Sequence, residues 1–309
     1  MARKLKGRAS SKGLKASLLK HKADARLIKK QHSQRGKDSQ TFKPQSGKKL
    51  GKQAERQRAK QVSFVPFDPD ETLLLVGEGD FSFARAIVAA NYIKPENLVA
   101  TSYDASPREL ELKYPHSFTE NYKFLMDHGV KVFFKVDATN LIQSLKISKH
   151  TPWRRIVGEG LENKPLQNIM FNFPHTGRGI KDQDRNIKEH QELVLGYFQS
   201  GKKLLNLINS EVGKEAMHSI QGYAVSPDEK SVGGRDNCSK IIISIFTGEP
   251  YDSWEVKYLA RESGLKLERS SKFYWENYPG YRHRRTNGEQ DTTKPAAERE
   301  ARVYIFKSS

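Results

Sequence analysis

Residues 73–87 read "LLLVGEGDFSFARAI". An apolar run of four residues ends in Gly-Glu-Gly-Asp, and the residues beyond it return to helical spacing. The pattern predicts a buried strand feeding a helix through a tight turn, which is where an open α/β sheet receives a ligand. Gly77 and Gly79 let the backbone turn sharply and approach a guest closely. The position at which a dinucleotide fingerprint carries its third glycine holds Ser82, flanked by Phe81 and Phe83.

Working outward, short β-rich runs alternate with longer amphipathic stretches. "NLVATSYD" reads as a second strand ending at Asp104, and "VKVFFKVD" as a third ending at Asp137. Between them "SPRELELKYP" opens a helix, with Ser106 as N-cap, Pro107 at the first position and Glu109 at the capping-box position. "NIMFNFP" is a fourth strand closed by Pro174, followed by the long helix "QDRNIKEHQELVLGYFQSGKKLLNLI". "KIIISIF" is a fifth strand, "SWEVKYLARESG" a helix, and "LKLERSSKFYW" and "ARVYIF" the last two strands. This order predicts a Rossmann-like, doubly wound α/β fold: a mainly parallel seven-stranded sheet with an antiparallel edge strand. Residues 141–165 and 210–238 read as polar loops or insertions.

In such a sheet the ligand lies beyond the carboxyl ends of the strands. Collecting those ends brings together Gly77, Glu78, Gly79, Asp80, Phe81, Ser82, Asp104, Asp137 and Asn172-Phe173-Pro174-His175. Asp104 follows Gly79 by the spacing of a ribose-binding acid. Glu78 and Asp80 would repel a pyrophosphate at a helix N-terminus. They suit a cationic cofactor without phosphates, and S-adenosylmethionine, with its sulfonium and ammonium groups, has that chemistry. The plainer reading is a structural turn with surface acids. The proline stiffens this turn and is expected to let Asn172 point into the site, and His175 is a candidate proton acceptor. A strand stopped by proline, with a half-exposed histidine after it, is the plainer alternative there.

The net charge of +18 is not spread evenly. Residues 1–60 hold 20 of the 54 Lys and Arg against three acids, so a net of +17 lies in this segment and about +1 in the rest. A near-neutral body with a basic arm implies delivery to a polyanion. The arm, residues 1–65, is expected to be disordered in isolation, to bind RNA and to carry nuclear or nucleolar address signals. Residues 66–309 form the folded domain. A solubilising arm without a specific partner is the alternative.

The segment "KFYWENYPGYRHRRTNGE" interleaves aromatics with Tyr281, Arg282, His283, Arg284 and Arg285, a mixture suited to stacking on bases while holding phosphates. Arg178 belongs to the same expected RNA surface. The alternative buries Phe273 and Trp275 and leaves the arginines as a solvated loop. Cys238, the lone cysteine, excludes an intramolecular disulfide and a cysteine zinc cluster, and no metal site is expected. It sits in a polar loop away from the fourth strand, so a cysteine-activated pyrimidine carbon is disfavoured and a nitrogen or oxygen acceptor favoured. No apolar run approaches a membrane span, and the protein reads as a monomer of a reducing compartment.

Six blocks in order, "LLLVGEGDFSFARAI", "ATSYDAS", "KVDATNL", "MFNFPHTGRGIKDQDRNI", "TGEPYDSW" and "YPGYRHRRTNG", resemble the eukaryotic ribosomal-RNA uridine-N3 methyltransferases. The resemblance runs from about residue 72 to the C-terminus. It implies a class I methyltransferase fold, S-adenosylmethionine as cofactor, a nucleolar location and a uridine of large-subunit ribosomal RNA, within pre-ribosomal particles, as substrate. It also implies that Gly77, Gly79, Asp80, Phe81 and Ser82 surround the methionine part, that Asp104 holds the ribose and Asp137 the adenine amino group. Asn172 to His175 would face the base. Two rivals remain: a non-catalytic RNA-binding assembly factor of the same fold, and a nicotinamide-dependent oxidoreductase. The polar stretch "SPDEKSVGGRDN" departs from the family pattern.

Overall fold

The apolar run Leu73–Val76 forms strand β1 and is buried on both faces. The remaining strands are β2 (Leu98–Thr101), β3 (Lys131–Phe133), β4 (Asn168–Asn172), β5 (Lys240–Phe246), β6 (Leu265–Lys272) and β7 (Ala301–Ser308). The helices are α1 (Ser82–Ala89), α2 (Pro107–Lys113), α3 (Phe118–Asp127), α4 (Leu141–Ser144), α5 (Trp153–Val157), α6 (Gln183–Ile220) and α7 (Val256–Glu262). The structure, a computed structural model, describes residues 64–308 apart from 159–160, 162–163, 221–238, 285, 287, 289–294 and 297–298, and only the backbone of 211 and 213–220. The expected basic arm up to residue 63, Cys238 and Arg285 therefore lie outside the described residues.

Among the described residues the strands form one sheet in the order β3-β2-β1-β4-β5-β7-β6. β1 pairs in parallel with β2 on one side and β4 on the other, so the winding reverses between β1 and β4. β7 runs antiparallel to both β5 and β6. The antiparallel element thus closes the expected edge, with β7 one place in and β6 outermost.

Side chains alternate across the sheet and both faces are covered, which is why the central strands are apolar throughout. Leu74, Val76, Ile169, Phe171, Ile241 and Ile243 face a core built with α4 to α7. Leu73, Leu75, Met170 and Ile242 face a second core built with α1 to α3 and the segment around Phe273 and Tyr278. The predicted cap of α2 is present: Ser106 Oγ accepts the Glu109 N–H (3.4 Å). Glu109 reaches back to the N–H of Ala105 (2.8 Å), one residue earlier than a capping box requires.

Three expectations change. Residues 141–165 are not a plain loop: α4 and α5 lie there, pinned by buried Leu141, Trp153 and Val157. α6 extends to Ile220, well into the predicted polar loop. β3 stops at Phe133 because Lys135 has a positive φ of 60°, and the chain crosses toward β2, where Lys135 N bonds Asp104 O (2.9 Å). Asp137 then caps a 3-10 turn, accepting the Thr139 N–H (2.8 Å). That turn is held by α6, where Ser200 Oγ accepts the Leu141 N–H (2.7 Å) and Gly196 makes room for Thr139. Phe64, at the start of the described residues, packs under the Arg269 guanidinium, 3.7 Å from its ring centroid.

Candidate functional site

A cavity of about 850 Å³ opens beyond the carboxyl ends of β1, β2, β4 and β5, at the point where the winding reverses. Its volume is that of a small-molecule site. It is lined by Gly77, Glu78, Gly79, Asp80 and Ser82, by Asp104 and Asp137, by Asn172, Phe173, Pro174 and His175, and by Arg178 and Tyr281 to Arg284. Nearly every residue singled out in the sequence converges there.

Phe81 is the exception among the turn residues. Its ring packs between Phe118, Tyr122 and Phe134, away from the cavity. It serves the turn instead as the N-cap of α1 in the left-handed conformation, φ 59°, a costly backbone for a bulky residue. Gly77 is needed for a similar internal reason: its φ is +70°, and a Cβ there would lie 2.5 Å from the Phe171 ring.

The acids of the turn differ from the free pair that the sequence suggests. Asp80 is buried and fully engaged: Oδ1 accepts the Ser82 N–H (3.0 Å), and Oδ2 accepts Ser117 Oγ (2.7 Å) and Arg284 Nε (3.1 Å). Glu78 is buried, with Oε2 accepting the Ala84 N–H (3.2 Å). Burial pushes its pKa up to about 8, and the charge of Asp80 adds to the rise. At neutral pH one acid is therefore largely protonated and the other is neutralised by an arginine. Asp104 is ion-paired with Lys113, which also lines the cavity. Sequence reasoning missed Lys113, Arg284 as a partner of Asp80, Glu189 and Trp254. The spacing of Glu189 and Glu192, three apart on one helical face, was the signal available.

At the end of β4, Asn172 points both amide atoms into a buried wall without a hydrogen-bond partner among the described residues. Phe173 has a positive φ of 50° and stacks its ring on Phe246 (centroids 4.5 Å) and Trp275 (5.4 Å). It anchors the turn more than it meets a guest. His175 presents a face to solvent, yet the surrounding bulk and His190 lower its pKa to about 4. Its Nδ1 accepts the Gly177 N–H (2.9 Å), so a proton on the ring sits at Nε2. His175 lines the cavity with its Nδ1 already accepting from Gly177.

The segment read as an RNA grip is largely a cavity wall. Tyr281 stacks on Trp275 (5.7 Å) and meets Phe83 edge-on (5.1 Å), and burial raises its pKa far above the ordinary phenol value. His283 packs against Phe173 and Phe246, where burial and Arg299 lower its pKa to about 4. The backbone of Arg282 meets Ser82 Oγ (3.2 and 3.3 Å), docking this segment on the turn. Only Arg282 and Arg178 of the described candidates present exposed side chains.

Among the described residues no cluster of His, Cys, Asp or Glu is arranged to hold a metal ion, and no helix is long and apolar enough to cross a membrane.

Residues 74–285 match the profile of a family described as "rRNA (uridine-N3-)-methyltransferase BTM5-like". The chain is 52% identical to the 25S rRNA (uridine(2634)-N(3))-methyltransferase of Saccharomyces cerevisiae, over 99% of this chain and 93% of that protein. An Arabidopsis thaliana protein described as uncharacterized is 28% identical, over 77% of this chain and 92% of its own length. A ferredoxin-fold anticodon-binding domain-containing protein 1 homolog of Mus musculus is 27% identical over 77% of this chain and 31% of that protein. With that family profile spanning the turn, the strand-end acids and the β4 end, the chain belongs to the rRNA (uridine-N3-)-methyltransferase family.

Proposed function

We propose that the protein uses S-adenosylmethionine to methylate N3 of a uridine in large-subunit ribosomal RNA within pre-ribosomal particles of the nucleolus. The observation that carries this reading is the convergence of the acidic turn, the two strand-end acids and the β4 turn on one cavity in a member of this family.

The residues fit the cofactor. A buried Glu78 with no cation beside it among the described residues is complemented by a sulfonium or ammonium group, which restores its carboxylate form. Gly77 to Asp80 and Ser82 surround the methionine part, and Phe81 holds the turn from behind. Asp104 takes the ribose hydroxyls once it exchanges its ion pair with Lys113 for them. Asp137 gives one oxygen to Thr139 and presents the other to the adenine amino group. When bound, S-adenosylmethionine supplies an electrophilic methyl group.

The chain's own part is alignment in a dry wall. Asn172 and His175 bind the base, with His175 Nε2–H donating to a uracil carbonyl, and Pro174 stiffens the turn that carries both. N3 is occupied in a Watson–Crick pair, so the base enters unpaired. Arg282 and Arg178, with Arg285 and the basic arm, contact phosphates at and beyond the rim. Calorimetry tests the cofactor: S-adenosylmethionine binds, NAD does not, and Asp104→Asn weakens binding about tenfold, the worth of one lost hydrogen bond to a charged group. Tight NAD binding without S-adenosylmethionine binding contradicts the reading.

A further inference from the structure

The near balance of charge over residues 61–309 conceals a segregated stretch. Residues 131–158 carry six Lys and Arg against Asp137 alone, which leaves 28 basic residues against 32 acids in the remainder of 61–309. No acid stands between Asp137 and Glu159, and Asp137 lines the cavity with one oxygen held by Thr139. We propose that this stretch, the β3 edge and the crossover from β3 to β4, is a second contact surface for RNA. It holds the sugar–phosphate backbone flanking the target uridine, and Tyr103 stacks on an unpaired base at the cavity mouth. The inference rests on the RNA-substrate reading above.

Short contacts tie the surface together from the cavity outward. β3 is the outermost strand on its side of the sheet. At its carboxyl end Lys135 N–H donates to Asp104 O (2.9 Å) and Ser102 N–H donates to Phe133 O (2.9 Å), so Tyr103 lies between these two bonds and neighbours Lys135. Tyr103 is 70% exposed and lines the cavity. At the start of β3, about 13 Å of extended chain away, Lys131 Nζ comes within 3.9 Å of where a Cβ on Gly158 would stand. Gly158 closes α5, its N–H donating to Arg154 O (2.9 Å). The exposed Arg155 donates from Nη1 to His150 O (3.1 Å). Lys149 and His150 form the exposed tip of a turn clasped by two backbone bonds between Ser148 and Thr151 (3.0 Å each).

Two of these lysines sit on backbone that other residues adopt more easily. Lys135 has φ 60°, and Lys146, just past the C-cap of α4, has φ 58°. Gly or Asn takes that conformation at lower cost, so what Lys adds at both turns is charge. Lysines on an open sheet edge also deter strand pairing between molecules. That accounts for Lys131 but not for Lys146, Lys149, Arg154 and Arg155, which lie on the crossover. A polyanion is the partner that such a surface fits, and an aromatic ring at its cavity end adds a platform for a base. Fixed to the body, these cations set the direction in which the flanking strand leaves the cavity.

The test uses the full chain and deproteinised large-subunit ribosomal RNA lacking the modification. The triple variant Lys146→Ala, Lys149→Ala, Arg155→Ala should reduce the slope of log K against log salt by about 2, since each phosphate contact contributes about 0.7–0.9. KM for RNA should rise while kcat and S-adenosylmethionine affinity hold. An unchanged slope and KM overturn the surface and leave the lysines as edge protection. Should the triple variant unfold, Lys146→Gln with Lys149→Gln takes its place, with a slope reduced by about 1.5 and the same criterion. Tyr103→Ala should weaken RNA binding about tenfold without changing the slope, and Tyr103→Phe should restore it. A loss of S-adenosylmethionine affinity in Tyr103→Ala would assign the ring to the cofactor and overturn the stacking role. If the wild type binds this RNA yet forms no 3-methyluridine, the uridine reading fails, and the slopes still decide the surface.

Discussion

A carboxyl buried beside another acid, Glu78 holds its proton to about pH 8 in the free protein. Its folded pKa exceeds the ordinary value, so its contribution to stability is intact below about pH 4.5 and is lost as pH rises toward 8. Glu78→Gln should therefore stabilise the free protein by roughly 3 kcal/mol at pH 7 and flatten that slope in thermal melts. A cationic guest favours the ionised form, so wild-type affinity for S-adenosylmethionine should rise between pH 6 and 8, and the Gln variant should not follow. Equal pH profiles would remove Glu78 from cofactor binding. Arg284 makes the companion case. Arg284→Ala leaves the Asp80 charge buried with one partner fewer and should cost roughly 3 kcal/mol. Asp80→Asn on that background should recover part of the loss, whereas Arg282→Ala, exposed, should leave the melting temperature unchanged and weaken RNA binding only. Residue identities at this site were legible because glycines and acids cluster at strand ends. Their partners were not: Asp80 and Arg284 are joined only by folding across 204 positions, and no periodicity encodes such a pair.

Among the elements, β1, β4 and β5 could be read directly, because strands covered on both faces are apolar without interruption. α2 was legible from its cap. β3 was overextended because Lys135 turns the chain through a positive φ, a backbone event that Lys does not advertise. α5 was hidden because two buried residues, Trp153 and Val157, anchor an otherwise polar stretch. The aromatic knot of Phe173, Phe246, Phe273 and Trp275 explains why the C-terminal segment read as an RNA grip: its rings are spent on the wall behind the β4 turn. Gly77→Ala tests how closely that turn is built. Strain at φ +70° and the clash with Phe171 should destabilise the protein by about 1–3 kcal/mol and abolish cofactor binding. Binding at the wild-type level would mean that the turn adapts.

For the molecule as a whole, residues 61–309 carry a net charge of only about +1, so the proposed phosphate grip falls mainly on the N-terminal arm, with Arg178 and Arg282 at the rim. Deleting residues 1–60 should weaken RNA binding and reduce the dependence of log K on log salt, since each phosphate contact contributes about 0.7–0.9 to that slope. An unchanged slope would place the grip on the body. The central claim is transfer of a methyl group to uridine N3, and nucleoside mass spectrometry tests it most directly. Unmodified large-subunit ribosomal RNA, incubated with the protein and methyl-labelled S-adenosylmethionine, should yield labelled 3-methyluridine, with Asp104→Asn strongly reducing the yield. Label on a different nucleoside, or none with a cofactor-binding wild-type protein, would contradict the account.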